Sequence, residues 1–384
     1  MYEPSPNHIP SLVFLWPAFV AAAASEAAAL AARQFTDLAI GGDGPEAPEP
    51  AWATAHTVAL ELPSVRLRDF TTGTNGFPAL LCAPFALHGA AITDFAEDHS
   101  LVAALRAAGL HRLFVTDWRS ATAAMRHRGI DDYLADLNVL VDRIGPPVDL
   151  VGLCQGGWIA LIYAARFPDK VRKLVLAAAP VDISAEASAL SAFAGANPAA
   201  VFDELVRLGD GTVPGRKVLK FWAPSEVKAD DIRHLLQSDA AIGSAEFGRL
   251  ESRFRDWYAW TLDLPGAYFL ETVEKIYKRN ELATGRFVAL GQKIDLADMR
   301  APLYLLAAGD DELVAPGQLF AAEHLVGTAP RDLAKATAPC RHLGLFMGRR
   351  ILRDFWPRIG RWLAEPRQFN PRREQAPPAA LHHC

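Results

Sequence analysis

Cysteine is scarce: the 384 residues contain four, at positions 82, 154, 340 and 384. They are widely scattered and form no CxxC pair, so neither a disulfide framework nor a zinc cluster is encoded, and reduced thiols in a cytoplasm fit best. A basic surplus is also missing. With 39 Lys and Arg against 44 Asp and Glu, the formal net charge is −5 and the pI about 6.1, which excludes the electrostatics of a nucleic-acid binder. Nor is there a long clean apolar run. Leu12 to Ala24 comes nearest, but no Lys or Arg precedes it, Pro17 interrupts it, and Glu26 and Arg33 close it short of the ~20 residues of a spanning helix. Residues 1–40 are therefore expected to carry an Ala-rich helix that packs on the domain, a partner or a lipid-like surface, with no transmembrane segment. Repeats, metal-ligand clusters and phosphate-cradling loops are absent from the pattern, so no metal and no bound organic cofactor is expected.

What is present is apolar residue in quantity, 51% of the chain, enough to bury the core of one elaborated domain. The Gly, Pro and acidic stretch 41–50 reads as a linker. Beyond it, strand-like and helix-like segments alternate, the pattern of a mostly parallel sheet covered on both faces. Strands are expected at Thr57 to Leu62 and Val65 to Phe70 (an antiparallel pair), then at Pro78 to Ala83, Arg112 to Thr116, Val148 to Val151 and Lys173 to Ala178. Helices are expected at Ser100 to Ala108, Ile130 to Ile144 and Trp158 to Phe167. The core thus runs over 51–181 and resumes over 287–364, with a strand at Pro302 to Ala308 and helices at Gln318 to Leu325 and Leu345 to Leu363. Residues 182–286 read as a helical cap without a convincing buried strand, and 365–384, with little apolar content, as a disordered tail.

The chemistry centres on Val148-Asp-Leu-Val-Gly-Leu-Cys-Gln-Gly-Gly-Trp, which runs from an apolar strand through a Gly-rich turn into a helix. That is the setting of the G-x-S-x-G nucleophile elbow, with Cys154 in the serine position, and it predicts an α/β-hydrolase fold. Gly152, Gly156 and Gly157 leave room where strand and helix approach closely. A helix N-terminus favours a thiolate over a thiol, and the N–H of Gln155 is the expected oxyanion donor. A second donor is expected from the loop Pro84-Phe-Ala-Leu-His-Gly, where Phe85 and His88 are candidate substrate contacts. The plainer alternative for Cys154 is a buried structural thiol in a Gly-bearing turn.

A thiolate that transfers acyl groups needs a base, and the base an orienting acid, in the chain order nucleophile, acid, His. Asp310-Asp311-Glu312 follows an expected strand through Gly309, at the edge where sites of open α/β sheets lie, and Asp311 is favoured over Asp310. A solvated acidic turn capping the next helix is the alternative there. Among eleven histidines, His342 alone stands in a turn directly before the final helix.

These motifs together resemble the polyhydroxyalkanoate synthases, particularly the shorter-chain, two-subunit classes. Gly152-Leu-Cys-Gln-Gly-Gly is similar to their Cys lipase-like box, and Phe167-Pro-Asp-Lys-Val-Arg-Lys-Leu-Val with Pro180-Val-Asp continues it. Asp98-His-Ser-Leu-Val, Val115-Thr-Asp-Trp-Arg, Ile130-Asp-Asp-Tyr-Leu, Trp260-Thr-Leu-Asp-Leu-Pro-Gly, Asn280-Glu-Leu, Ile294-Asp-Leu, Asp311-Glu-Leu-Val and His342-Leu-Gly extend the likeness over roughly 55–363. The resemblance implies that Cys154 accepts a 3-hydroxyacyl group from a coenzyme A thioester, with His342 as base and Asp311 assisting. It implies a substrate contact at Trp260, a homodimer or a second synthase subunit, and work on a polyester granule. Arg341 stands where the family usually has Gly, the Trp260 motif is shortened, and the loop from Pro84 to Gly89 lacks the usual Asn-Lys/Arg pair. Such changes also suit a Cys-dependent hydrolase on the same fold, such as an intracellular polyhydroxyalkanoate depolymerase. A non-catalytic granule protein is the remaining alternative.

Overall fold

The computed structural model describes residues 47–222, 228–237 and 244–366. The expected N-terminal helix, most of the linker, and the tail beyond 366 lie outside these.

Eight strands form one sheet: β1 (Thr57–Glu61), β2 (Val65–Asp69), β3 (Ala79–Cys82), β4 (Leu113–Trp118), β5 (Val148–Leu153), β6 (Val171–Ala177), β7 (Leu303–Ala308) and β8 (Leu333–Ala338). Their spatial order is β1-β2-β4-β3-β5-β6-β7-β8. β1 pairs antiparallel with β2, and β2 antiparallel with β4, while every pairing from β4 to β8 is parallel. Every residue of β3, β4, β5 and β6 is buried, as expected for parallel strands covered on both faces. Alternation assigns the faces. Leu80, Leu150, Leu174 and Leu176 pack with α2 (Ile130–Ile144) and α3 (Gln155–Arg166). Leu81, Val151, Val175 and Ala177 face the opposite cluster, with α1 (Leu101–Ala107) and the C-terminal helices through Ile351, Trp356 and Ile359.

Local chemistry sets several boundaries. Ser100 Oγ accepts from Ala103 N at 2.8 Å and caps α1. α3 begins at Gln155, three residues before the sequence pattern predicts, because the elbow turn feeds directly into it. The C-terminal region is not one helix: Gly348 is extended (φ −73°, ψ 119°) and Pro357 stands in the first turn of a new helix, so the segments are Gly344–Met347, Arg349–Asp354 and Trp356–Ala364. The helix expected at Gln318 to Leu325 is likewise two short ones, Pro316–Phe320 and Ala322–Leu325. β8 escaped the sequence reading. As an edge strand it is half-exposed, and Leu-Ala-Lys-Ala-Thr-Ala has little of the β-branched, apolar signature of a strand.

Between β6 and β7 the described residues are mainly helical, including Ala189–Ala196, Ala199–Leu208, Ala229–Leu236 and Ser244–Ala259, with two-residue ladders of Thr212–Val213 on Leu264–Pro265 and of Val288–Ala289 on Gln292–Lys293. A hydrogen-bonded clasp ties this segment to the exit of β6. Asn280, held at φ 49°, donates from Nδ2 to Asp182 Oδ1 at 2.7 Å and accepts from Ile183 N at 3.4 Å.

Arg172 and Asp149 form a buried ion pair in the sheet. Arg172 and Asp149 are 3% and 1% exposed, and the guanidinium donates to the Asp149 carboxylate and to the carbonyls of Leu363 and Glu365. Asp149→Ala leaves that guanidinium buried without its counter-charge, and is expected to cost about 3 kcal/mol of unfolding free energy in a urea titration at neutral pH. A loss under about 1 kcal/mol would show that water replaces the carboxylate at no cost.

Candidate active site

β5 ends at Leu153, and Cys154 turns the chain into α3 at φ 49°, ψ −120°, a conformation that costs a non-Gly residue on the order of 1–3 kcal/mol. The surroundings over-determine it. Cys154 N donates to Ala177 O at 2.9 Å, and Gly157 N donates to Cys154 O at 2.9 Å. A Cβ on Gly156 would stand 2.1 Å from Cys82 O, and one on Gly157 would stand 2.2 Å from Ala179 Cβ. A Cβ on Gly152 would stand 2.5 Å from Gly157 Cα. α3 therefore packs backbone to backbone on β3 and leaves the Cys154 side chain partly exposed at its N-terminus.

Asp311 and His342 reach the same place because β7 and β8 run parallel to β5, so the loops after all three emerge at one edge of the sheet. His342 is 3% exposed, and its Nδ1 lies 3.0 and 2.8 Å from the two Asp311 carboxylate oxygens. Asp311 Oδ1 also accepts from Leu313 N and Val314 N at 2.9 Å each, which holds the carboxylate in place independently of the imidazole. With Nδ1–H committed to Asp311, the other ring nitrogen is the one available to accept a proton from Cys154. Burial alone would depress His342, but the charges of Cys154 and Asp311 and its hydrogen bonds to both hold it well above the ordinary histidine range. The neighbouring acids do not compete: Asp310 and Glu312 are exposed. Arg341, the departure beside the histidine, is exposed too, whereas Cys340 is buried against Gly344, its thiol pushed up to about 12 first by burial and then by the nearby acids.

The side chain of Gln155 is fastened on two sides. Its Oε1 accepts from Trp158 Nε1 at 2.6 Å and its Nε2 donates to Tyr277 Oη at 2.5 Å, which steadies the first turn of α3. Tyr277, on a π-helical turn 123 positions after Cys154 in the chain's numbering (277 − 154), carries no motif that sequence reading could use. Phe85, at 1% exposure, packs among Trp118, Tyr133 and Tyr268 as part of the core. His88 Nδ1 donates to Trp260 O at 3.2 Å and its ring lies on Trp257 and Tyr258. Burial pushes it down to about 4, against the weaker opposing pull of that carbonyl, so it is neutral and joins the 84–89 loop to the cap. Trp260 fills the space beside Gly89, where a Cβ would come within 2.5 Å of its ring. Among the described residues, no group of His, Cys, Asp and Glu is arranged to hold a metal, and no helix is long and apolar enough to cross a membrane.

A candidate nucleophile on a strand–turn–helix elbow, followed in chain order by an acid and a histidine on one sheet edge, defines an enzyme of the α/β-hydrolase fold. The enol-lactonase of Burkholderia xenovorans shares the architecture, with a TM-score of 0.51 at 15% identity over 78% of this chain and 96% of that one. The chain belongs to the poly(3-hydroxyalkanoate) polymerase family: it is 30% identical over 289 residues to the "Poly(3-hydroxyalkanoate) polymerase subunit PhaC" of Synechocystis sp., covering 71% of this chain and 74% of that protein. The protein of the same name from Allochromatium vinosum is also 30% identical, over 71% of this chain and 77% of its own. Residues 227–366 match the family model described as "PHB de-polymerase C-terminus".

Proposed function

We propose that the protein is a poly(3-hydroxyalkanoate) polymerase that carries the growing acyl group on Cys154. The observation that carries this reading is the Cys154–His342–Asp311 arrangement, in a chain of the polymerase family. His342 takes the Cys154 proton, and the thiolate attacks the carbonyl carbon of a 3-hydroxyacyl coenzyme A thioester. The oxyanion forms against the N–H of Gln155. As the carbon–sulfur bond to coenzyme A breaks, His342 returns the proton to the leaving thiolate, and the acyl group stays on Cys154. A 3-hydroxyl then attacks this thioester, gives its proton to His342 and becomes an ester oxygen, while Cys154 is released. The reading requires the thioester as substrate and no bound cofactor. The family model's name supports one alternative, in which water replaces the hydroxyl and the enzyme hydrolyses polyester. Because the relatives are named as polymerase subunits, we also infer a second subunit or a second copy, working at a granule surface in the cytoplasm.

Incubation with 3-hydroxybutyryl-CoA separates the two products. The expected result is free coenzyme A together with sedimentable polyester and a 3-hydroxybutyryl adduct on Cys154 by mass spectrometry. Free 3-hydroxybutyrate instead of polymer would establish the hydrolase, and absence of any adduct on Cys154 would overturn both.

A further inference from the structure

Tyr277 lies on the seven-residue π-helical turn Thr272–Lys278, a widened backbone form found disproportionately at functional sites. The residue is 7% exposed, yet among the described residues its hydroxyl has one bonded partner, Gln155 Nε2. The direction of that bond is fixed from the other side. The Trp158 indole N–H can only donate, so Gln155 Oε1 must face it and the amide nitrogen must face Tyr277. Tyr277 is therefore the acceptor, and its own proton remains to be given to something else. Among the described residues no protein group takes it. The phenol keeps that proton: burial first, then the charge at Cys154, pushes it above the ordinary tyrosine range despite the hydrogen bond from Gln155. The hydrogen bond to Gln155, the residue after Cys154, places the Tyr277 hydroxyl at the first turn of α3, the turn that carries the candidate nucleophile.

A buried donor with no acceptor, bonded to the residue that follows Cys154, is an unfilled half of a hydrogen bond, and such groups call for a ligand atom. In an acyl group on Cys154, the carbonyl oxygen belongs to the N–H of Gln155 at the start of α3. Tyr277 approaches from the segment between β6 and β7, not from the start of α3. A 3-hydroxyacyl group offers one further oxygen, on its third carbon, and a plain acyl group of equal length offers none there. We propose that the Tyr277 hydroxyl donates to the 3-hydroxyl oxygen of the acyl group held on Cys154, and so selects 3-hydroxyacyl over unsubstituted acyl thioesters. This rests on the acyl-transfer reading above.

The test compares single-turnover acylation of Cys154 by 3-hydroxybutyryl-CoA and by butyryl-CoA, followed as coenzyme A release, in the wild-type protein and Tyr277→Phe. The wild type is expected to favour the hydroxylated thioester, and Tyr277→Phe to lower that preference about tenfold, the worth of one buried hydrogen bond. A thermal midpoint within a few degrees of wild type shows that the phenyl ring still fills the site. Equal slowing on both thioesters, which a purely structural role would give, overturns the proposal, as does an unchanged ratio. If the wild-type protein accepts butyryl and hydroxybutyryl groups equally well, the selection fails while acyl transfer stands. If it accepts neither, the acyl-transfer reading fails first and this one with it.

Discussion

Cys154→Ala is expected to reduce coenzyme A release from 3-hydroxybutyryl-CoA by at least ~10⁵-fold, because it removes the atom to which the acyl group is transferred. The fold should tolerate the change. Alanine is smaller than cysteine, the side chain is partly exposed, and the backbone bonds of position 154 to Ala177 and Gly157 do not involve the thiol. A second consequence concerns His342, which loses the charge that contributes most to raising it. Histidine NMR should therefore show its titration moving to lower pH in the alanine variant. Turnover by Cys154→Ala at more than a hundredth of the wild-type rate would mean that the thioester is cleaved by some other group.

Asp311→Asn is expected to lower the same rate by about 10³- to 10⁴-fold, from an isosteric change that leaves the loop intact. The physical reason lies in which nitrogen of His342 carries the proton. The carboxylate accepts Nδ1–H at 2.8 Å, and an amide that turned its NH₂ toward the ring would stabilise the opposite tautomer, with no lone pair left facing Cys154. Asp311 Oδ1 would still be represented by an amide oxygen for Leu313 N and Val314 N, so the wrong half of the amide is steered toward the ring. Charge acts in the same direction. Asp311 contributes to raising His342, so in the Asn variant the imidazole loses its proton at lower pH. The sign for stability follows. A histidine raised in the folded state contributes stability that is present below its ordinary range and lost as pH rises through the folded value. The stability difference between wild type and Asp311→Asn should therefore shrink at alkaline pH, in urea titrations repeated across pH. Asp310→Asn supplies the comparison: its carboxylate is exposed, and a drop of more than about tenfold there, with full activity in Asp311→Asn, would move the acid by one residue.

Most of the sheet was legible in the chain. Runs such as Val148-Asp-Leu-Val and Leu174-Val-Leu are apolar because parallel strands are covered on both faces, and the glycines around Cys154 announce a close approach that only backbone can make. β8 was not legible, since an edge strand with one bare side needs little apolar signal. The interruption of the C-terminal helix at Gly348 was likewise hidden, because a lone glycine in a helical pattern does not by itself dictate a break.

By itself, then, the sequence determined the elbow and the alternation that makes a parallel sheet, because each is set by residues close together in the chain, and it showed the order Cys154, Asp311, His342. Three matters were decided by tertiary structure. Asp311 rather than Asp310 meets His342, because the turn after β7 buries one carboxylate and exposes its neighbours. Phe85 belongs to the core, because Trp118, Tyr133 and Tyr268 converge on it from distant parts of the chain. Tyr277 reaches Gln155 across 122 positions, because a helical segment folds back over the sheet edge, and no local pattern records a contact made at that separation.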